Sequence, residues 1–202
     1  IAGQTGAVLA GSSSLSSLAR AAGFPPTRFH AASPGGWMDF GPLRVEWIAS
    51  RHNDPDRASG EIRADARLPA HGLAYRSGAV YVLRIHTPAG ILGVMGSAGF
   101  LPGMFAGRPV DTIFLSAAGL SRLPANDRED YFKQTILAAQ AKAVIPIHWD
   151  DFFQPLRADP PLLPPLLDDT RRTLREMSAF CASHSIRFSL PAPFTRFDPI
   201  LT

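Results

Sequence analysis

Two histidines stand where a metal-binding site could form. His52 follows the strand-like run at residues 45–48, and His148 follows the apolar run at residues 144–147. α/β proteins build their sites at the ends of strands. Neutral imidazole is a common zinc ligand, and a nearby carboxylate can orient its second nitrogen. The spacing alone leaves open that each is a hydrogen-bonded structural histidine, because specific zinc motifs place two ligands within a few residues of each other.

The segment after His148 carries further candidates. Asp150 and Asp151 follow it closely, so either could support catalysis beside a metal, and one of them is expected to cap the next turn. We assign the catalytic candidate to Asp150 and a supporting position to Asp151. The same segment contains three aromatic side chains, Trp149, Phe152 and Phe153. They could line an apolar substrate pocket or belong to the core.

Two more polar side chains deserve comparison with these. His71 lies in a long polar loop, where it could face substrate as a second catalytic candidate or be a solvated loop histidine. Ser97 lies in Gly-Ser-Ala-Gly at residues 96–99, which lacks the Gly-x-Ser-x-Gly spacing of a nucleophile elbow. The sequence therefore does not indicate a serine hydrolase.

The elements that would position these residues alternate between strand and helix in the second half of the chain. Strands are predicted at residues 7–10, 37–40, 43–48, 73–75, 80–86, 91–95, 112–115, 144–147 and 186–190. The strands at 37–40 and 43–48 are separated by a Gly41-Pro42 turn and are expected to pair as a hairpin. Helices are predicted from Leu15, over residues 128–141 after an Asn126 or Asp127 cap, and over residues 166–184. The pattern predicts an α/β fold.

Composition narrows the class of protein. The 202 residues are 46% hydrophobic, which is enough for a substantial core, so we expect one domain over residues 1–202. No run approaches the roughly 18–20 apolar residues that span a bilayer, so membrane insertion is not expected. The net charge of +3 comes from scattered arginines, which argues against nucleic acid as a partner. We expect a cytoplasmic protein, although a mature periplasmic chain stays open.

Three segments, taken in order, resemble successive active-site loops of the metallo-β-lactamase superfamily, especially its bacterial lactonase-like and phospholipase-D-like hydrolases. They are Ala-Ser-Arg-His at 49–52, Gly-Ser-Ala-Gly-Phe at 96–100 and Pro-Ile-His-Trp-Asp-Asp-Phe at 146–152. The resemblance covers most of residues 5–155. It implies an αββα sandwich, of which this chain would supply the second half plus part of the first.

The resemblance also implies metal ligands. It implies that His52 binds the first metal of the site and that His148 binds the second, with zinc as the expected ion. Ser97 stands where the superfamily usually has a bridging aspartate. A neutral hydroxyl is a poor bridge between two cations, so we expect at most one tightly held ion. Two equivalents of zinc per chain would contradict this.

The superfamily's His-x-His-x-Asp-His cluster is absent from the sequence. Either the cluster lies in an N-terminal segment that precedes Ile1, or the protein has lost it. Because the chain starts at Ile1 rather than at Met, we expect the first and expect this chain alone to be inactive.

The leading hypothesis is metal-dependent hydrolysis of a small-molecule ester, lactone or phosphodiester. The alternative is a metal-free, non-catalytic descendant of the fold that binds a ligand or a protein. Nucleic-acid processing, which other superfamily members perform, is a third possibility. The sequence leaves the oligomeric state open.

Overall fold

The computed structural model describes residues 1–155 and 157–200, and strands form most of its framework. The strands are β1 (Leu9–Gly11), β2 (Phe29–Ala31), β3 (Trp37–Phe40), β4 (Leu43–Ser50), β5 (Val80–Thr87), β6 (Gly90–Met95), β7 (Thr112–Ser116), β8 (Ala143–Ile147) and β9 (Arg187–Phe188). The α-helices are α1 (Ala2–Thr5), α2 (Ser13–Ala21), α3 (Ala125–Phe132) and α4 (Thr170–Ser183).

A seven-stranded mixed sheet runs in chain order from β3 to β9, and β1 pairs with β2 in a small parallel sheet. Strands β3 to β6 are antiparallel neighbours, whereas β6 to β9 are parallel. Parallel neighbours need crossover connections, and those from β7 to β8 and from β8 to β9 contain α3 and α4, whereas residues 96–111 connect β6 to β7 without an α-helix. The predicted α/β class is therefore confirmed, with one large mixed sheet.

The core lies where α3 and α4 pack against the parallel half of the sheet. Ile113 in β7 and Val144 in β8 are fully buried, as the continuous apolar runs of these strands predicted. Tyr131 of α3 and Met177 of α4 are buried in the same cluster. Cys181, one helical turn after Met177, is also buried, and burial raises the pKa of its thiol to about 11. It is a core residue.

Several predicted elements are confirmed, and others differ. The hairpin of β3 and β4 and the strands β5 to β8 lie where the apolar runs placed them. Residues 73–75, predicted as a strand, form none: the first two belong to a 3₁₀ turn at Gly72–Ala74, where Ala74 N–H donates to the carbonyl of His71 over 2.8 Å, and Tyr75 follows it. A run of three residues is too short for alternation to distinguish the two structures.

The predicted helix at 128–141 begins earlier, at Ala125 after Pro124, and continues as a π-helix over Lys133–Leu137. No side chain caps its start, so the predicted Asn126 or Asp127 cap is wrong. The periodicity of apolar residues does not distinguish the hydrogen-bond register of a π-helix from that of an α-helix.

The predicted helix at 166–184 starts at Thr170, because Asp169 is its N-cap and accepts the N–H of Arg172 over 3.1 Å. No helix in the part of the chain that the structure describes is long and apolar enough to cross a bilayer.

Candidate active site

One edge of the large sheet gathers the loops that carry the predicted residues. β4 and β6 are both antiparallel to β5, so they run in the same direction, and β7 and β8 are parallel to β6. The carboxyl ends of these four strands therefore open on one edge. His52, Ser97 and His148 follow β4, β6 and β8, and all three line one pocket of about 770 Å³.

The two histidines lie in different surroundings within this pocket. His52 is exposed, and its Nδ1 lies 3.9 Å from a carboxylate oxygen of Asp56. His148 is half-buried, with a left-handed backbone at φ 56°, and its ring packs on Phe152 at a centroid distance of 4.9 Å.

Burial is the main cause that lowers the pKa of His148. The charge of Asp150 raises this pKa, positive charge on His52 lowers it, and Asp168 raises it. The net effect favours neutral imidazole, the form in which histidine binds a metal.

The loop after β6 fits closely against the loop after β4. Ser97 Oγ accepts the N–H of Asn53 over 3.2 Å, and the Ser50 hydroxyl donates to the carbonyl of Gly99 over 3.1 Å. A Cβ at Gly99 would lie 2.1 Å from the carbonyl oxygen of His52, so no side chain fits there. The hydrogen bonds of Ser97 and Ser50 and the absence of a side chain at Gly99 together set the path of the chain at His52.

Asp168 is a pocket residue that the sequence did not indicate. Its side chain accepts the N–H of Gly119 over 2.6 Å and the hydroxyl of Ser121 over 2.5 Å, and only 5% of the residue is exposed. It ties the start of α4 to the loop after β7. Two aspartates before a helix signal an N-cap, but Asp169 takes that role and leaves Asp168 for the pocket.

Three other predicted residues lie outside the set of described residues that line the pocket. Asp150 forms a backbone bridge with Leu162, and its charge acts on His148. The Asp151 carboxylate accepts the N–H of Phe153 over 3.1 Å, which is a turn-capping bond. His71 is exposed just before the 3₁₀ turn. The catalytic or supporting roles of these residues stay predictions.

Phe152 and Phe153 line the pocket rather than the core. They are 53% and 70% exposed, and their ring centroids are 4.5 Å apart. Of the two interpretations that the sequence left open, the geometry favours the pocket wall for these two residues, whereas Trp149 packs against the hydrophobic core.

The donor chemistry of the pocket fits a zinc-type ion, but the number of donors falls short. Two imidazoles face the pocket, whereas a catalytic zinc takes three protein ligands. Within residues 1–155 and 157–200, no group of three His, Cys, Asp or Glu side chains is arranged to hold a metal ion. The donors that the described residues bring to this pocket are therefore too few for a catalytic zinc site.

Comparison with known proteins gives structural likeness only. No protein-family model and no curated protein matches the chain. Solved structures that resemble it include a protein from Thermotoga maritima assigned as a Zn-dependent hydrolase of the metallo-β-lactamase superfamily, at 11% identity and TM-score 0.36, over 62% of this chain and 52% of that one. The metallo-β-lactamase fold protein YhfI from Bacillus subtilis has 11% identity and TM-score 0.43, over 83% of this chain and 55% of its own.

A variant of the CmlA β-hydroxylase has 13% identity and TM-score 0.47, over 81% of this chain and 33% of its own. The first two carry, by name, the superfamily or fold that the three loops resemble. The aligned part spans about half the length of these two proteins. No residue role is transferred from any of them.

Proposed function

We propose that this chain is part of a metal-dependent hydrolase that acts on a small-molecule ester, lactone or phosphodiester. The observation that carries the proposal is the convergence of His52 and His148 on one pocket from the ends of β4 and β8. Histidine is a common zinc ligand, and the pKa of His148 is lowered, which favours the neutral form that binds a metal.

The ligand count sets what else the site needs. Two histidines leave at least one protein ligand to be supplied, and we propose that a His-x-His-x-Asp-His segment preceding these residues supplies it. On this proposal, residues 1–202 form most of a single domain that the segment completes. A bound zinc-type ion in such a site provides Lewis acidity and lowers the pKa of water to near neutrality.

The residues of this chain have separate tasks in that hydrolysis. His52 and His148 line the pocket as the proposed metal ligands, and the Asp150 carboxyl group acts on the charge of His148. Phe152 and Phe153 form an apolar part of the pocket wall. Hydrolysis of an ester consumes one water, breaks the acyl–oxygen bond and releases an acid and an alcohol. With one water a lactone opens to a single hydroxy acid, and a phosphodiester gives a phosphomonoester and an alcohol.

The test uses the full-length protein. His52→Ala and His148→Ala should each lower metal content, and should reduce hydrolysis of a generic ester and phosphodiester at least about tenfold, since a ligand matters no less than the groups that support it. His30→Ala is the control, because His30 is exposed on β2, away from the pocket. Unchanged metal content and hydrolysis in His148→Ala would refute the proposal.

The second candidate is a metal-free protein that binds a ligand or a partner without turnover. The hydroxyl at Ser97 and the lack of a third ligand among the described residues favour it. The coding sequence upstream of Ile1 decides between the two, because a His-x-His-x-Asp-His cluster there would remove the reason for this candidate.

A further inference from the structure

The pocket holds two arginines that the fold leaves uncommitted. Arg57 and Arg122 both line it and are exposed. Among the described residues, Arg57 and Arg122 form no ion pair, and neither guanidinium takes part in a hydrogen bond. A guanidinium offers five donors suited to carboxylate or phosphate. Both therefore remain available to a bound oxyanion.

The aspartates of the same pocket are, in contrast, engaged. Asp54 pairs with Arg51 at 3.1 Å, and Asp56 accepts the hydroxyl of Ser77 over 2.9 Å. The Asp168 carboxylate accepts two hydrogen bonds from the loop after β7. Each of the three carboxylates is thus held by a neighbouring group of the fold, whereas neither guanidinium is.

The floor of the pocket adds a neutral donor. Ser116, the last residue of β7, is fully buried, and its hydroxyl has no hydrogen-bond partner. Buried hydroxyls are nearly always satisfied, so an orphan that lines a pocket indicates a bound oxygen atom from water or ligand.

Another part of the pocket wall is apolar and begins at His148. The ring of His148 contacts Phe152, which contacts Phe153, and Leu163 and Leu167 line the same pocket. A volume of about 770 Å³ is that of a pocket for a drug-sized molecule. The pocket therefore has room for an apolar group beside the arginines.

From these observations we infer that the ligand of this pocket joins an oxyanion to an apolar group, with Arg57 and Arg122 binding the oxyanion and Phe152 and Phe153 contacting the apolar part. The inference rests on the proposed function for its reaction, and it narrows the substrate to a phosphodiester or a carboxylate-bearing ester with an apolar substituent. Neutral esters and lactones are disfavoured.

The preference for an anion is tested by calorimetric titration of the full-length protein, which measures the affinities for octyl phosphate, octanoate and the neutral octyl glucoside. At least one of the two anions should bind about tenfold or more tightly than the glucoside, because hydrogen bonds to charged groups are strong. The better anion identifies phosphate or carboxylate as the preferred group.

Arg57→Gln and Arg122→Gln should each weaken that anion about tenfold and leave octyl glucoside unchanged. Arg175→Gln is the matched control, since Arg175 is an exposed arginine on α4 outside this pocket. Thermal melting confirms that each variant is folded. The inference would be overturned if the anions and the glucoside bound equally well. It would also be overturned if both pocket variants bound the anion as tightly as Arg175→Gln does.

A separate experiment tests the contact between the apolar part of the ligand and the two phenylalanines. Octyl phosphate should bind more tightly than methyl phosphate, and Phe152→Ala/Phe153→Ala should abolish the difference, whereas Phe197→Ala outside the pocket should keep it. Persistence of the difference in the double variant counts against the inference. If the protein binds no metal and hydrolyses nothing, yet the arginine-dependent anion binding is found, the proposed function fails and the ligand class stands.

Discussion

Asp168 is the residue that links most of the pocket's parts. Its buried carboxylate holds the backbone of Gly119 and the hydroxyl of Ser121, and the Ser121 oxygen in turn accepts the N–H of Asp169 over 2.8 Å. The loop after β7 and the first turn of α4 are therefore joined by one short network. Buried networks of this kind stabilise a single arrangement only when every member is satisfied.

Asp168→Ala should lower the free energy of unfolding by about 2–4 kcal/mol, because it leaves the Gly119 N–H unpaired and removes a charged acceptor. Asp168→Asn should lose less, since its amide oxygen can still accept one bond. Urea denaturation measures both.

Asp159→Ala is the control, because the Asp159 side chain is 91% exposed in a surface ion pair, and a loss of less than about 1 kcal/mol is expected. Equal losses in Asp168→Ala and Asp159→Ala would show that the buried network contributes nothing.

At the scale of elements, the pocket depends on how closely the loop after β6 approaches the loop after β4. Gly99 faces the backbone of Arg51 and His52, and Ser97 bonds to Asn53 just beyond. Such contact between two backbones requires a residue without a side chain. The position of His52 is therefore set by a neighbouring loop as much as by its own strand.

Gly99→Ala should displace the chain at His52, destabilise the protein by about 1–3 kcal/mol, and weaken metal binding by the full-length protein. Gly96→Ala is a matched change in the same loop, because a Cβ there meets nothing within 4 Å. Chemical denaturation and metal titration provide the measurements. If the two variants have the same stability and the same metal affinity, the close approach does not position His52.

At the scale of the whole molecule, strand direction decides where the chemistry lies. β4 and β6 are both antiparallel to β5, so β4 runs in the same direction as β6 and β7. β4, a strand of the antiparallel half, therefore ends at the same edge of the sheet as the parallel strands. Ligands in open α/β sheets bind outside the carboxyl ends of the strands. The pocket lies at that edge and is lined by His52 and His148, the two metal ligands that we propose.

Zinc should therefore stabilise the 202-residue chain only slightly. At a zinc concentration equal to its dissociation constant, the stabilisation is about 0.4 kcal/mol, which raises Tm by about 1–2 °C for a chain of this size. A longer protein that carries the proposed His-x-His-x-Asp-His segment should gain at least about 5 °C at one hundred times its dissociation constant.

Thermal melts with and without zinc make the comparison at the same zinc concentration, and His52→Ala/His148→Ala in the shorter chain should remove even the small shift. A shift in the 202-residue chain as large as that of the longer protein would contradict a two-ligand site.

Sequence alone determined the local features of this protein. The runs before His52 and His148 predicted strands because apolar β-branched residues favour that conformation, and the structure has β4 and β8 there. The same reasoning predicted the hairpin of β3 and β4 and the alternation of strand and helix that follows. It missed β2, since a strand of three residues offers too few positions for periodicity to be seen.

Only the tertiary structure decided which of these features meet. The bond from Asn53 to Ser97 spans 44 positions, and the bond from Gly119 to Asp168 spans 49. No local pattern encodes partners so far apart, because they depend on strand order and on the direction of each chain crossing. For the same reason Asp168, Arg57 and Arg122 were ordinary polar residues in the sequence, and became parts of one pocket when four strands ended at a common edge.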